Sequence, residues 1–274
     1  MFDTQDDFVS WNVGGRMPIT QALFGACKTI FTFFGTCFNE AGFYLVRTLF
    51  WRFRKPRYII LLGPPGSGKG TLATQLAPAL RIKAMSTGDV FRREKAANTI
   101  FGRQVKAHLA DGTLVPDSLT LAIVRRELIR PRYWFGALED GFPRTIAQAE
   151  QFELLLAKWG VSVEWTVLLD VNDDDLIDRL SNRRTCTNKA CGRTYNLKYE
   201  RSVKAGICDV CDAPTAQRDD DVPEVISARL RTYREETQPL CNYYQVRNVL
   251  ASVHPTGDMT KQEVFVLVKA ALQG

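Results

Sequence analysis

Hydrophobic and polar positions divide the chain into two parts with different patterns. From Pro56 onward, short apolar runs alternate with stretches of helical periodicity. Residues 58–62 (YIILL) and 165–170 (WTVLLD) form apolar runs that are typical of strands buried on both faces of a sheet. The segment 136–139 also predicts a strand. This alternation predicts an α/β fold, in which helices flank a parallel sheet on both faces.

Helical signals lie between these strands and after them. A glycine-rich turn after the first strand leads into a predicted helix that ends near Leu80. Ser118 to Ile129 is periodic at helical spacing. Val222 to Gln245 predicts one long helix, with a proline near its start. Residues 260–263 (TKQE) have the pattern of a capping box, which predicts the start of the last helix.

Residues 1–55 differ from the rest. The stretch from Met17 to Phe53 is rich in phenylalanine, glycine and threonine, and Arg52, Arg54 and Lys55 lie at its end. Two interpretations stay open: an amphipathic extension that packs on the domain or on a protein partner, or an interfacial membrane helix with a basic flank. The acidic residues near the start argue against a secretory signal or a transit peptide. The compartment stays open between cytoplasm and mitochondrion.

Composition restricts the class of protein. Of 274 residues, 45% are apolar and 24% are charged, as in ordinary folded proteins, which excludes bulk disorder, collagen and a multi-span membrane protein. The net charge of +6 favours anionic partners, and the phosphates of small molecules suit it as well as nucleic acid does. The two histidines, His108 and His254, make chemistry that needs several imidazoles improbable.

A phosphate loop follows the first predicted strand. Residues 63–69 (GPPGSGK) match the spacing G-x-x-x-x-G-K between a strand and a helix. Glycines there let backbone N–H groups curl around phosphate oxygens at the positive end of the helix, and Lys69 adds a point charge. Gly70 stands where a magnesium-binding hydroxyl is usual, so Thr71 is the nearest hydroxyl. The loop predicts a nucleoside triphosphate site.

Downstream segments add arginines and a carboxylate. Residues 86–92 (STGDVFR) place hydroxyls and an arginine at a second helix start, and residues 140–144 (DGFPR) follow a predicted strand. Asp140 offers a carboxylate for hydrated Mg²⁺. Further arginines lie at positions 179, 183, 184, 218 and 229. Together with a phosphate loop, they indicate phosphoryl transfer.

Four of the seven cysteines lie close together in the sequence. Cys186 and Cys191 form a C-x4-C pair, and Cys208 and Cys211 form a C-x2-C pair. Two short-spaced pairs predict a Zn²⁺ site with four thiolates. Such a site is structural, because four protein ligands leave no ligand position open for catalysis. Free thiols or a redox-sensitive pair are the alternatives.

These motifs resemble adenylate kinases of the long-lid type, from about Arg57 to the end of the chain. The resemblance implies a P-loop NTPase fold in residues 56–274, with a helical AMP-binding insert at about 86–115 and a zinc-stapled lid at about 184–218. In the zinc-bearing members the first cysteine pair is usually C-x2-C, so this chain has two extra residues there. The implied activity is reversible, Mg²⁺-dependent transfer between ATP and AMP, as a monomer.

The resemblance also implies site residues. The implied catalytic residues are Lys69, Arg92, Arg144, Arg179, Arg183, Arg218 and Arg229. The implied ATP-binding residues are Gly66, Ser67, Gly68, Lys69, Gly70, Thr71, Arg179, Arg183, Thr194, Tyr195 and Met259. The implied AMP-binding residues are Thr87, Arg92, Thr113, Leu114, Val115, Gly141, Phe142, Pro143, Arg144, Gln148, Arg218 and Arg229. Asp140 and Thr71 would accompany Mg²⁺, and Cys186, Cys191, Cys208 and Cys211 would hold Zn²⁺.

Other functions stay open. Within the same family, a UMP/CMP kinase or a GTP:AMP phosphotransferase is possible, although Thr87 is typical of AMP enzymes and the amide of Gln148 suits adenine. A nucleic-acid-binding module would use the cysteine ribbon and the positive charge. The positions of the arginines favour phosphate transfer over it. A third alternative is a membrane-anchored nucleotide-binding scaffold.

Overall fold

The structure is a computed structural model, and it describes residue 51 and residues 54–111, 113–188, 190–256 and 259–273. The strands are β1 (Arg57–Leu62), β2 (Lys83–Ser86), β3 (Gly136–Asp140), β4 (Val163–Leu169), β5 (Arg183–Cys186), β6 (Thr194–Asn196), β7 (Thr215–Ala216) and β8 (Leu250–Val253). The α-helices are α1 (Lys69–Ala79), α2 (Thr87–Ala96), α3 (Ile100–Asp111), α4 (Asp117–Leu128), α5 (Ile146–Lys158), α6 (Asp173–Ser181), α7 (Pro223–Thr232), α8 (Pro239–Gln245) and α9 (Lys261–Ala271).

Five strands form the central sheet in the order β2-β3-β1-β4-β8. Every pairing in it is parallel, and β1 lies in the middle, with Ile59 opposite both Leu138 and Trp165. The predicted parallel sheet is confirmed. Because the strands are parallel, their carboxyl ends meet at one edge of the sheet and their amino ends at the other.

Alternation along β1 builds two apolar cores. Tyr58 and Ile60 pack on one face with side chains that include Phe152 of α5. Ile59 packs on the other face with side chains that include Leu76 of α1. All five side chains are buried. The continuous apolar runs in the sequence follow from this burial on both faces.

Two smaller units lie outside the sheet. Helices α2 and α3 contribute Phe91 and Val105 to a separate apolar cluster that also includes Ile123 of α4. Strands β6, β5 and β7 form a three-stranded antiparallel sheet that begins at Arg183. We call residues 184–218 the cysteine insert. Both units interrupt the alternation of strand and helix that builds the central sheet.

The prediction of one long helix from Val222 to Gln245 is wrong in detail. Helix α7 ends at Thr232, a π-helical turn spans Tyr233–Thr237, and α8 begins at Pro239. In that turn the amide of Gln238 donates to the carbonyl of Tyr233, five residues back. Pro239 has no N–H to continue regular helical bonding, which explains the change next to it.

Trp51 and Arg54 form hydrogen bonds at the edge of the central sheet where its strands begin. The indole of Trp51 donates to the carbonyl of Trp134 at 2.8 Å, and Arg54 donates to the carbonyl of Arg81 at 2.7 Å. The predictions for most of residues 1–55 lie outside the described residues. None of the helices in the described ranges combines the length and apolar character needed to cross a bilayer.

Candidate active site

The phosphate loop lies at the carboxyl edge of the sheet, between β1 and α1. Gly63, Gly66 and Gly68 have φ values of +142°, +87° and +95°, a range that favours glycine. A Cβ at Gly63 would lie 2.6 Å from the carbonyl oxygen of Leu169, so a side chain there would collide with β4. The loop therefore needs glycine both for its turn and for its contact with the sheet.

Lys69, the first residue of α1, turns its ammonium group back onto the loop. It donates to the carbonyls of Gly63 and Pro64 at 2.7 and 2.8 Å, and to the Ser67 hydroxyl at 3.3 Å. Burial lowers the pKa of Lys69 to about 8; the carboxylate of Asp140 opposes this shift. The loop thus holds a desolvated cation at the N-terminus of α1.

Asp140 ends β3 beside the start of α1. Its carboxylate oxygen is 3.5 Å from the position that a Cβ at Gly70 would take, which places the acid next to the first turn of the helix. Burial raises the pKa of Asp140, and the positive charge of Lys69 counters that shift. A half-buried carboxylate beside a helix N-terminus and a loop for phosphates suits a divalent cation bound with phosphate.

The arginines converge on the same pocket. Burial, and after it the charge of Arg229, lowers the pKa of Arg144 to about 10. Arg218 shows the same effect, with burial and then Arg183 bringing its pKa to about 10. Neighbouring cations that depress one another in this way form a pocket that an anion of several charges would stabilise.

Two arginines of this pocket, Arg183 and Arg229, pair with acidic side chains that the sequence analysis did not single out. Asp221 is fully buried and accepts two hydrogen bonds from Arg183, at 2.7 and 2.5 Å. Arg229 contacts Asp221 at 3.3 Å and Asp220 at 3.2 Å. The sequence feature that could have revealed these ion pairs is the acidic run 219–221 directly after Arg218, because acidic residues beside a basic cluster are expected to pair with it.

The start of α2 faces the end of β3. The buried hydroxyl of Thr87 donates to the carbonyl of Gly141 at 2.8 Å. Asp89 receives a hydrogen bond from Arg92 at 2.5 Å, and Ser86 caps the helix by accepting from the amide of Asp89. These bonds fix Thr87 and Arg92 beside the segment that begins at Asp140.

Gln148 is buried near the start of α5. Its amide oxygen accepts from the backbone N–H of Arg144 at 2.8 Å, and its amide nitrogen donates to Asp117 at 2.7 Å. The hydroxyl of Thr145 also donates to Asp117, at 3.0 Å. Asp117 lies at the start of α4 and orients both side chains, and no motif in the sequence indicates this role.

Other candidate residues lie away from this pocket or are already bonded. The ring of His108 hydrogen-bonds Thr113 at 3.1 Å. The hydroxyl of Tyr195 donates to Cys208 at 3.3 Å, so that side chain belongs to the cysteine insert. Met259 precedes α9, its amide donating to the carbonyl of Thr256. Roles for these residues in nucleotide binding stay predictions.

The four cysteines form one cluster. The sulfurs of Cys186 and Cys211 are 3.4 Å apart, those of Cys191 and Cys208 are 3.6 Å apart, and all four lie within 4.8 Å of one another. Four sulfurs around a tetrahedral Zn²⁺, at bonds of about 2.3 Å, would be about 3.8 Å apart. The donor set and the spacing therefore fit a metal ion, despite the longer C-x4-C pair.

Neighbouring residues in the insert hold the first cysteine loop and contact one of the thiols. Asn188 accepts from the amides of Cys191 and Gly192 and so closes the longer first loop. The hydrogen bond from Tyr195 lowers the pKa of Cys208 to about 6. Such a thiol is ready to bind a metal as the thiolate.

Comparison with known proteins agrees with this geometry. The sequence profile of a family described as "Adenylate kinase" matches residues 61–249. The chain is 44% identical over 209 residues to the adenylate kinase of Ruminiclostridium cellulolyticum, covering 76% of this chain and 97% of that protein. It is 41% identical over 215 residues to the adenylate kinase of Thermodesulfovibrio yellowstonii, covering 78% of this chain and 98% of that protein. It is 42% identical over 212 residues to the adenylate kinase of Salinispora tropica, covering 76% of this chain and 97% of that protein.

Proposed function

The chain belongs to the adenylate kinase family, and from this premise we propose that it transfers a phosphoryl group reversibly between ATP and AMP to give two ADP. One observation carries the proposal: a desolvated lysine in a phosphate loop and a group of mutually repelling arginines converge beside the half-buried carboxylate of Asp140. Such a pocket suits two nucleotides whose phosphates meet there.

The phosphate loop takes the triphosphate. Backbone N–H groups of residues 66–71 surround phosphate oxygens at the N-terminus of α1, while Lys69 neutralises their charge. When bound with ATP, Mg²⁺ would offset part of the negative charge of the phosphates. Asp140, through water, and Thr71 are the residues that would hold it.

The arginines position the transferring group. Phosphoryl transfer between nucleotides needs no covalent protein intermediate, but it does need in-line alignment and neutralised charge. Arg183 and Arg229 share Asp221, so their guanidinium groups keep fixed positions relative to one another. The proposed contacts to the reacting phosphates come from Lys69, Arg92, Arg144, Arg179, Arg183, Arg218 and Arg229.

AMP lies between the segment 86–115 and the residues after β3. In this proposal Thr87 and Gln148 discriminate the adenine base. The side-chain amide of Gln148 would exchange its hydrogen bond to Asp117 for hydrogen bonds to the edge of the adenine. The remaining proposed AMP contacts are Thr113, Leu114, Val115, Gly141, Phe142 and Pro143. Thr194, Tyr195 and Met259 are proposed to line the ATP base.

The cysteine insert, at residues 184–218, acts in this proposal as a lid over the triphosphate. A lid excludes water, which would otherwise accept the phosphoryl group. Zn²⁺ held by the four cysteines is the proposed metal, and with four protein ligands it stabilises structure rather than taking part in the chemistry. The protein is proposed to act as a monomer, and residues 17–55 to contact a membrane or a protein partner.

An assay of acceptor preference tests the proposal. ADP formation is measured with ATP and Mg²⁺ and with each of AMP, GMP, UMP and CMP. Strong preference for AMP is the expected result, and transfer to none of the four, with ATP still bound, would contradict it. Lys69→Met should lower kcat by at least about a hundredfold, because it removes a phosphate contact. Lys106→Met, an exposed lysine on α3, is the matched control and should retain activity.

A further inference from the structure

Positive charge collects at the amino edge of the sheet, opposite the nucleotide site. Arg57 and Lys83 are the first residues of β1 and β2, and Lys158 ends α5 shortly before β4. Because the strands are parallel, the segments that lead into them lie at this one edge. We call the following residues the basic edge: Arg54, Lys55, Arg57, Arg81, Lys83, Arg130, Arg132 and Lys158.

Acidic residues balance only part of this charge. Glu164 pairs with Arg57 at 2.7 Å, and the buried Glu127 pairs with Arg130 and Arg132 at 3.2 and 2.8 Å. The remaining cations are exposed and make no ion pair with any residue of the described ranges. They are Lys55, Arg81, Lys83 and Lys158.

Stabilising the fold does not explain these exposed cations. Arg54 does have a structural role, because it donates to the carbonyls of Leu80 and Arg81 at the end of α1. Its pKa is lowered by burial and then by the charges of Arg81 and Arg57. Neighbouring cations on this edge therefore repel one another, a cost that an external anionic surface would relieve.

The chain enters the domain at this same edge. Trp51 and Arg54 fix the junction to Trp134 and to the end of α1. The sequence before Trp51 contains the Phe-rich stretch from residue 17, which also carries basic residues. The nucleotide pocket lies at the opposite, carboxyl edge of the sheet, so a partner on the basic edge would leave it uncovered.

We propose that the basic edge docks on an anionic lipid bilayer and leaves the nucleotide pocket open to solution. A bilayer fits better than a small anion, because the exposed cations spread over several segments of one edge instead of converging in a pocket. Lysine and arginine side chains near an anionic bilayer each strengthen binding about fivefold. This inference does not depend on which nucleotides the enzyme uses.

Vesicle sedimentation of the full chain tests this docking. Vesicles of phosphatidylcholine alone are compared with vesicles that contain phosphatidylserine, at low and at physiological salt. The wild-type protein should bind the anionic vesicles more strongly, and binding should weaken as salt rises. The triple variant Lys55→Gln/Lys83→Gln/Lys158→Gln should bind them at least tenfold more weakly, and about a hundredfold if the three contributions add.

A second triple variant is the matched control. Lys106→Gln/Lys204→Gln/Lys261→Gln removes the same charge from α3, the cysteine insert and the start of α9, outside the segments that lead into the strands. It should bind anionic vesicles nearly as well as the wild type. Phosphoryl transfer, measured in the same samples, should persist for vesicle-bound wild-type protein and for the Lys55/Lys83/Lys158 variant.

Several outcomes would overturn docking at the basic edge. These are equal binding to both kinds of vesicle, equal loss of binding in both triple variants, and no binding by the wild type. Binding of RNA or duplex DNA by the wild type, without binding of anionic vesicles, would assign the edge to nucleic acid instead. Loss of transfer alone would contradict the proposed function and leave the docking result intact.

Discussion

The central sheet and the cysteine insert are held together by different means. The sheet has apolar cores on both faces, in which side chains such as Ile60 and Leu76 are fully buried. The buried cluster of the insert consists of Cys186, Tyr195 and Cys208, with the remaining thiols and an alanine around them. Apolar burial stabilises the first region, while the second has too little apolar surface for a core.

This difference shows how one chain can combine a scaffold held by apolar cores with a small unit that lacks one. A structural metal ion can supply the folding energy that a short insert lacks. With a metal bound, the insert would need few apolar contacts with the sheet in order to fold. Three changes would break or sharpen this comparison.

Removing one thiolate should have the largest effect. Cys208→Ala leaves three ligands, so we expect loss of stoichiometric zinc and fast amide hydrogen exchange throughout residues 184–218. Exchange in β1 and β4 should stay slow, since their cores are separate. Metal analysis and hydrogen exchange measured by mass spectrometry check this.

Cys241→Ala is the control for that change. Cys241 is a half-buried thiol that packs against the core of the sheet, away from the insert. It should retain the metal and leave exchange in the insert unchanged. Full protection of the insert in Cys208→Ala would contradict the view that metal replaces a core there.

Neutralising a buried acid in the sheet should have a smaller, pH-dependent effect. Glu139 is fully buried in β3, and neither of its carboxylate oxygens has a hydrogen-bond partner in the described ranges. Burial, reinforced by the charge of Asp140, raises the pKa of Glu139 well above its usual value. Above a pH of about 4.5 the unfolded state releases this proton and the folded state keeps it, so wild-type stability falls as pH rises towards the folded pKa.

The Glu139→Gln variant lacks this titration. Its stability relative to the wild type should therefore rise by about 1.4 kcal/mol for each pH unit between pH 5 and the folded pKa. Urea unfolding at several pH values measures the difference. Glu164→Gln, at an exposed carboxylate in β4, is the control and should show no such slope. A flat difference for Glu139→Gln would mean that its carboxylate ionises in the folded protein.

Breaking the ion pair between the two regions should have the smallest effect. Lys261 at the start of α9 pairs with Glu200 in the insert, and Glu200 also pairs with Arg193 at 3.2 Å. A double-mutant cycle with Lys261→Gln and Glu200→Gln, followed by thermal unfolding, should give a coupling energy of about 1 kcal/mol or less. A coupling of several kcal/mol would show that the insert depends on α9 for its stability.

Local chemistry made much of this molecule predictable. The phosphate loop needs glycines that precede Lys69, and a four-thiolate site needs paired cysteines, so both features are visible in short stretches of sequence. The strands of the central sheet are visible because burial on both faces leaves continuous apolar runs. In these places one segment carries the whole requirement.

Features that depend on distant segments were not predictable. Asp117 orients Gln148 across the contact between α4 and α5, and no spacing in the sequence links them. Tyr195 turns to Cys208 because the insert folds back on itself, which only the folded chain shows. The π-helical turn before Pro239 depends on one missing N–H within an otherwise helical pattern.

Lys69 has a further consequence for how the phosphate loop receives a ligand. Its ammonium already bonds the carbonyls of Gly63 and Pro64, at the start of the loop. The loop is therefore shaped by its own side chain before any phosphate arrives. The conformational entropy of ordering these glycines is lost when the protein folds, and the binding energy of a phosphate need not compensate for it.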